Sequence, residues 1–152
     1  MNDSYYMHWA LKEARKAAKR DEIPVGALVV SPYGEILGAG SNTVEKKQCQ
    51  IGHAEVHAIA AATKKIKDWR LTDCTLYVTL EPCMMCISLI ALSRISRVVY
   101  GAESPLFGYH LDKEGVLALY TRQIKNITSG VEAEESAQLL RNFFKKKRER
   151  SE

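Results

Sequence analysis

Apolar residues fall into two alternating rhythms along the chain, one with a period of three to four and one with a period of two. Met7, Ala10, Leu11, Ala14, Ala17 and Ala18 keep helical spacing with Lys12, Arg15, Lys16 and Lys19 opposite, which predicts an amphipathic helix capped by Asp3 or Ser4 and closed by Pro24. Two apolar runs, residues 25–31 and 36–40, flank Pro32-Tyr33-Gly34-Glu35 and predict an antiparallel hairpin. A polar loop is expected over 42–52, an Ala-rich helix over 53–66, a strand over 75–80, a helix over 83–93 and a strand over 97–101. Beyond these come a loop over 103–112, a short helix over 113–120, a weak fifth strand over 125–130 and a last helix over 134–147. Helical crossovers in the middle of the chain favour parallel pairing there. The predicted class is α/β, in three layers, with a mixed five-stranded sheet and helices on both faces. At 152 residues the chain has the size of one domain, residues 1–152.

Composition adds a location for the charge. The net +4 resides in residues 141–152, which hold six of the 22 basic and two of the 18 acidic side chains and leave sixteen of each sign elsewhere. Such a tail suits a polyanion such as RNA, and it equally suits the negative end of a helix dipole. No apolar run approaches a membrane span, and the N-terminus lacks the basic-then-apolar pattern of a signal peptide, so a cytoplasmic protein with no membrane partner is expected.

Candidate chemistry concentrates in two short segments. His53-Ala54-Glu55 and Pro82-Cys83-Met84-Met85-Cys86 supply an imidazole, two thiols and a carboxylate. Zinc takes nitrogen and thiolate ligands in a tetrahedron, and three protein ligands leave the fourth position to water. His53, Cys83 and Cys86 are therefore the candidate zinc ligands, and Glu55, two residues from His53, is the candidate proton carrier. His-x-Glu with Pro-Cys-x-x-Cys is the spacing of zinc nucleobase deaminases. Pro82 is expected at the first position of the helix that follows, which puts both cysteines at a helix N-terminus, where thiolate is favoured.

Other uses of the same residues are open. Cys83 and Cys86 have the spacing of a redox pair, and Cys49 or Cys74 would close a four-ligand structural zinc site. His57 stands four residues after His53, but Ala54 occupies the place where a metalloprotease helix has Glu. His57 is expected to be a hydrogen-bonded helix residue, and His8 and His110 have no motif around them. Phe107 and Tyr109, in the loop 103–109, are candidates to stack on bases or to fold back as a hydrophobic lid, and Lys145, Lys146, Lys147 and Arg148 are the candidate phosphate contacts.

Several of these segments carry a family likeness. Ile23-Pro24-Val25-Gly26-Ala27, Ser41-Asn42, His53-Ala54-Glu55, the run 76–86 (Leu-Tyr-Val-Thr-Leu-Glu-Pro-Cys-x-x-Cys), Ser93-Arg94-Ile95 and the late Leu139-Leu140-x-x-Phe143-Phe144 before the basic tail resemble bacterial tRNA-specific adenosine deaminases of the cytidine deaminase superfamily. The likeness runs from the first helix to the tail. It implies a cytidine deaminase-like fold and hydrolytic conversion of adenosine to inosine at the wobble position (34) of a tRNA anticodon stem-loop. It further implies a homodimer with one zinc per subunit and a substrate-binding set that includes Asn42 and Ala54. A zinc deaminase of a free base or nucleoside (cytosine, cytidine or guanine) and a non-catalytic RNA-binding module with structural zinc are the competing expectations. Two segments depart from the family pattern, Cys49-Gln50-Ile51-Gly52 in place of Asp-Pro-Thr-Ala and the bulkier 103–109 in place of an Asp with a small Gly-containing loop. Both bear on substrate identity and neither on the zinc motif.

Overall fold

Alternation within the strands decides the architecture. The structure, a computed structural model, describes residues 2–115 and 117–151, with Leu119 and Tyr120 described by backbone only. Val116, inside the predicted helix over 113–120, and Glu152, in the charged tail, lie outside the described residues. Strands β1 (Gly26–Val30), β2 (Ile36–Ser41), β3 (Thr75–Leu80), β4 (Arg97–Ala102) and β5 (Asn126–Thr128) form one sheet in the order β2-β1-β3-β4-β5. The β1 pairings with β2 and β3 are antiparallel, whereas β3 with β4 and β4 with β5 are parallel. Odd and even strand residues face opposite layers. Ala27, Val29, Leu76, Val78, Val98 and Tyr100 pack on α3 (Ala54–Ile66) and α4 (Met84–Leu92). Leu28, Val30, Tyr77 and Val99 pack on α1 (Asp3–Lys19), with Leu139 of α6 (Ala133–Ser151) beside them. This is the expected mixed sheet between two helical layers.

Close approach fixes where α3 lies. A Cβ on Gly38 of β2 would come within 2.3 Å of the Ala58 carbonyl oxygen, and one on Gly40 within 2.6 Å of the Ala54 carbonyl oxygen. The two glycines let the helix backbone rest directly on the strand and seat its N-terminus at a defined height.

Several local expectations are corrected. The cap of α1 is Asn2, whose side chain accepts from the Tyr5 N–H; Asp3 is instead drawn into a two-armed pair with Arg97, both arms 2.8 Å. The polar loop 42–52 contains a helical turn, α2 (Val44–Lys47), because the buried Glu22 carboxylate accepts from the Glu45 and Lys46 N–H groups at 3.0 and 2.6 Å. That cap is more than twenty residues distant in sequence and invisible to a local pattern. Pro82 is not the first helical residue: Cys83 stays extended, held by a bridge to Gly108, and α4 starts at Met84. The helix expected over 113–120 shrinks to α5 (Ala118–Thr121), since Gly115 adopts φ +70° and breaks the turn before it. A 3-10 turn, Tyr109–Leu111, interrupts the loop 103–112, and the fifth strand keeps only three residues.

Candidate active site

His53 and Cys83 occupy equivalent places, each the N-cap of its helix with extended backbone, φ −76° ψ 150° for His53 and φ −75° ψ 175° for Cys83. An N-cap residue ordinarily spends its side chain on the helix's own N–H groups. Neither does so here. The ring and the thiol turn toward each other instead, with His53 Nδ1 at 3.7 Å from Cys83 Sγ and 3.4 Å from Cys86 Sγ in the first turn of α4. A tetrahedral zinc with its usual nitrogen and sulfur bond lengths has N-to-S edges of about 3.6 Å. The donor set therefore fits zinc in chemistry, and its nitrogen-to-sulfur distances match those edges.

Nothing else joins this cluster among the described residues. Cys49 is exposed, Cys74 is buried elsewhere in the core, and His57 faces the Thr43 hydroxyl at 2.7 Å. A structural site thus lacks its fourth cysteine. Three donors, with no fourth among the described residues, match the ligand number of a catalytic zinc, which keeps one position for water. Gln50, from one of the two unusual segments, brings its amide to 3.4 Å from the other ring nitrogen of His53.

Burial and neighbours set the proton affinities of the metal-free pocket. Hydrogen bonds from Cys86 and then His53 stabilise the Cys83 thiolate and draw its pKa down to about 4, and the burden shifts to Cys86, whose thiol is pushed up by its bond to Cys83 and by burial. His53 is raised by its bond to Cys83. Glu55, second residue of α3 and only 4 % exposed, is pushed up to about 7 by burial. A carboxyl poised there suits proton transfer in both directions near neutral pH.

A cavity of about 310 Å³ opens above these groups. That is the small end of ligand pockets, roomy enough for a base. Its walls are largely apolar (Ile23, Val25, Val44, Ala54, Leu80), with Asn42, Gln50, Glu55, Ser104 and Phe107 around them. Asn42 is fixed by its Oδ1 accepting from Val44 N–H at 3.2 Å and its Nδ2 donating to the Ile23 carbonyl at 3.4 Å. Ala54, fully buried, is the first residue of α3, so its N–H belongs to the helix-start group that has no intrahelical acceptor.

The remaining candidates scatter. Phe107 is 73 % exposed at the pocket rim, but Tyr109 turns inward and meets Tyr100 edge-on at 6.3 Å. The loop is thus part exposed rim and part inner wall. Lys145, Lys146 and Arg148 are exposed on α6 without an ion pair among the described residues, whereas Lys147 shares Asp21 with Arg150 at 3.4 and 2.9 Å. Glu81 and His110, which sequence reasoning passed over, are bound to each other beside Cys83, with His110 Nδ1–H donating to the carboxylate at 2.7 Å. The one available signal was Glu81's place immediately before Pro82-Cys83.

Comparison with known proteins follows the same lines. The chain matches the family of MafB19-like deaminases over residues 1–148. It is 42 % identical to the tRNA-specific adenosine deaminase of Streptococcus pyogenes serotype M1 over 154 aligned residues, covering 97 % of this chain and 86 % of that protein. A tRNA(Ile)-lysidine synthase of Deinococcus deserti is 41 % identical over 93 % of this chain, which spans only 26 % of that longer protein. A solved structure from work on A-to-I editing by tRNA:A34 deaminases superposes with a TM-score of 0.83 at 35 % identity, covering 90 % of this chain and 99 % of the other.

Proposed function

The chain belongs to the MafB19-like deaminase family, and on that footing we propose that it hydrolyses the exocyclic amine of adenosine at the wobble position (34) of a tRNA anticodon, leaving inosine. The observation that carries this reading is a buried Glu55 beside the His53, Cys83 and Cys86 donors at the floor of a base-sized cavity. That arrangement occurs in a chain 42 % identical to a tRNA-specific adenosine deaminase.

His53, Cys83 and Cys86 would hold one zinc. Bound there, zinc supplies a hydroxide nucleophile at neutral pH. Glu55 takes the proton of the attacking water and delivers it to the adenine ring nitrogen N1 as the oxygen adds to C6; it then collects the proton of the new C6 hydroxyl and passes it to the amine, which departs as ammonia and leaves the C6 carbonyl of inosine. The apolar walls exclude bulk water, and Asn42 and Ala54 orient the nucleoside. Entry of the base costs least from a single-stranded loop. Exposed cations of α6 are suited to the phosphates of the stem, and a tRNA substrate places the reaction in the cytoplasm. A second copy of the chain is the proposed partner of α4, a nine-residue helix that leaves Met84, Met85 and Leu92 37 to 57 % exposed.

Zinc-loaded protein should convert a wobble adenosine to inosine in an anticodon stem-loop and leave free cytosine, cytidine, adenosine and guanine unchanged, followed by mass spectrometry. Turnover of a free base or nucleoside with intact RNA would overturn the tRNA reading in favour of a small-molecule deaminase.

A further inference from the structure

Glu81 has no part in the proton transfers above, yet its side chain is fully buried and its carboxylate is engaged on every side. Ser104 N–H donates to it at 3.1 Å, His110 N–H at 2.9 Å, and His110 Nδ1–H reaches both oxygens at 2.7 and 2.8 Å. Gly108 lies so close that a Cβ there would stand 2.3 Å from the carboxylate. Tyr109 N–H donates to the Pro82 carbonyl at 2.9 Å, and Cys83 bridges to Gly108. On its outer side His110 Nε2 lies 3.3 Å from the Glu103 carboxylate. Ser104, Gly108, Tyr109 and His110 are buried or half-buried, while Leu106 and Phe107 between them are 76 and 73 % exposed.

A large aromatic ring standing in water adds nothing to folding, since burial is what makes such a ring stabilising. Here a buried carboxylate and an imidazole hold the loop so that the ring stays at the rim of the cavity. We propose that Glu81 and His110 are positioning residues, a clasp that presents Phe107 as a stacking shelf for a nucleotide flanking the one deaminated. This deepens the wobble-adenosine reading and rests on it. The ring borders the cavity at its mouth and, 73 % exposed, also offers a face outside it, so the shelf serves a neighbour that a free base does not have.

Two measurements test the clasp and the shelf separately. In hydrogen–deuterium exchange, His110→Ala should deprotect the Ser104 and Tyr109 amides, and His110→Asn, whose amide still donates to Glu81, should keep them protected; unchanged protection in His110→Ala overturns the clasp. In steady-state kinetics on the anticodon stem-loop, Phe107→Ala should raise KM by roughly five- to 150-fold, the range of one base-on-aromatic contact, with little change in kcat. His110→Ala should raise KM likewise, His110→Asn should restore it, and the double variant should be no worse than Phe107→Ala. An unchanged KM in Phe107→Ala, or losses that multiply in the double variant, overturns the shelf. Wild-type protein that deaminates no RNA overturns the substrate reading and the shelf with it, while the exchange data still decide the clasp.

Discussion

Glu55 shows how one side chain couples stability to chemistry. Its carboxyl is held at about 7 by burial, above the 4.5 of a free glutamate, so the folded metal-free protein binds the extra proton between those values. Stability tied to that proton is complete below pH 4.5 and is lost as pH rises through about 7. Metal-free Glu55→Gln should therefore equal wild type near pH 4.5 and exceed it by roughly 3 kcal/mol at pH 8, measured by urea denaturation; equal stability at pH 8 would show that the carboxylate is well solvated. The proposed ligands should behave differently. Cys86 is fully buried in the first turn of α4, so Cys86→Ala should lose zinc and thermal stability together, because metal binding and folding are linked. Full zinc occupancy in that variant would exclude Cys86 as a ligand. That His53, Glu55, Cys83 and Cys86 would converge was legible in the sequence, because zinc chemistry would demand few residue types at tight spacing. Glu81 and His110 were not, because their pairing depends on two loops meeting 29 residues apart.

Elements were legible where their pattern was long and self-sufficient, as for α1, α3 and the strands β1 to β4. They were misread where a distant group decides. Glu22 creates α2 and the bridge to Gly108 keeps Cys83 out of α4, while a local residue, Gly115, delays the start of the predicted helix to Ala118. Packing between elements also places the site, most directly at Gly40, where an added Cβ would meet the Ala54 carbonyl and the His57 Cβ, both at 2.6 Å. Gly40→Ala must push the start of α3 off β2 and move His53 with it. It should cost about 1–3 kcal/mol, as overpacking does, and hasten zinc loss to a chelator. A wild-type denaturation midpoint with unchanged zinc retention would show that the two elements slide freely.

For the whole molecule, the three-layer arrangement followed from the alternation of helical and strand rhythms, but the location of its free charge needed the structure. Lys147 and Arg150 are engaged by Asp21 and Arg141 by Glu134, so among the described residues Lys145, Lys146 and Arg148 are the tail cations available to phosphates. Replacing those three with Gln should weaken stem-loop binding and flatten the plot of log affinity against log salt by roughly 0.7–0.9 per contact removed. An unchanged slope would assign the tail to helix capping alone. The role proposed for Glu55 is to move the protons of a deamination at the His53, Cys83 and Cys86 centre. It is tested most directly by following inosine formation in an anticodon stem-loop with wild type and Glu55→Ala, each first shown to hold one zinc per chain. Conversion by wild type and a loss of at least 10²-fold in the zinc-loaded variant is the predicted result; normal turnover by zinc-loaded Glu55→Ala would contradict it.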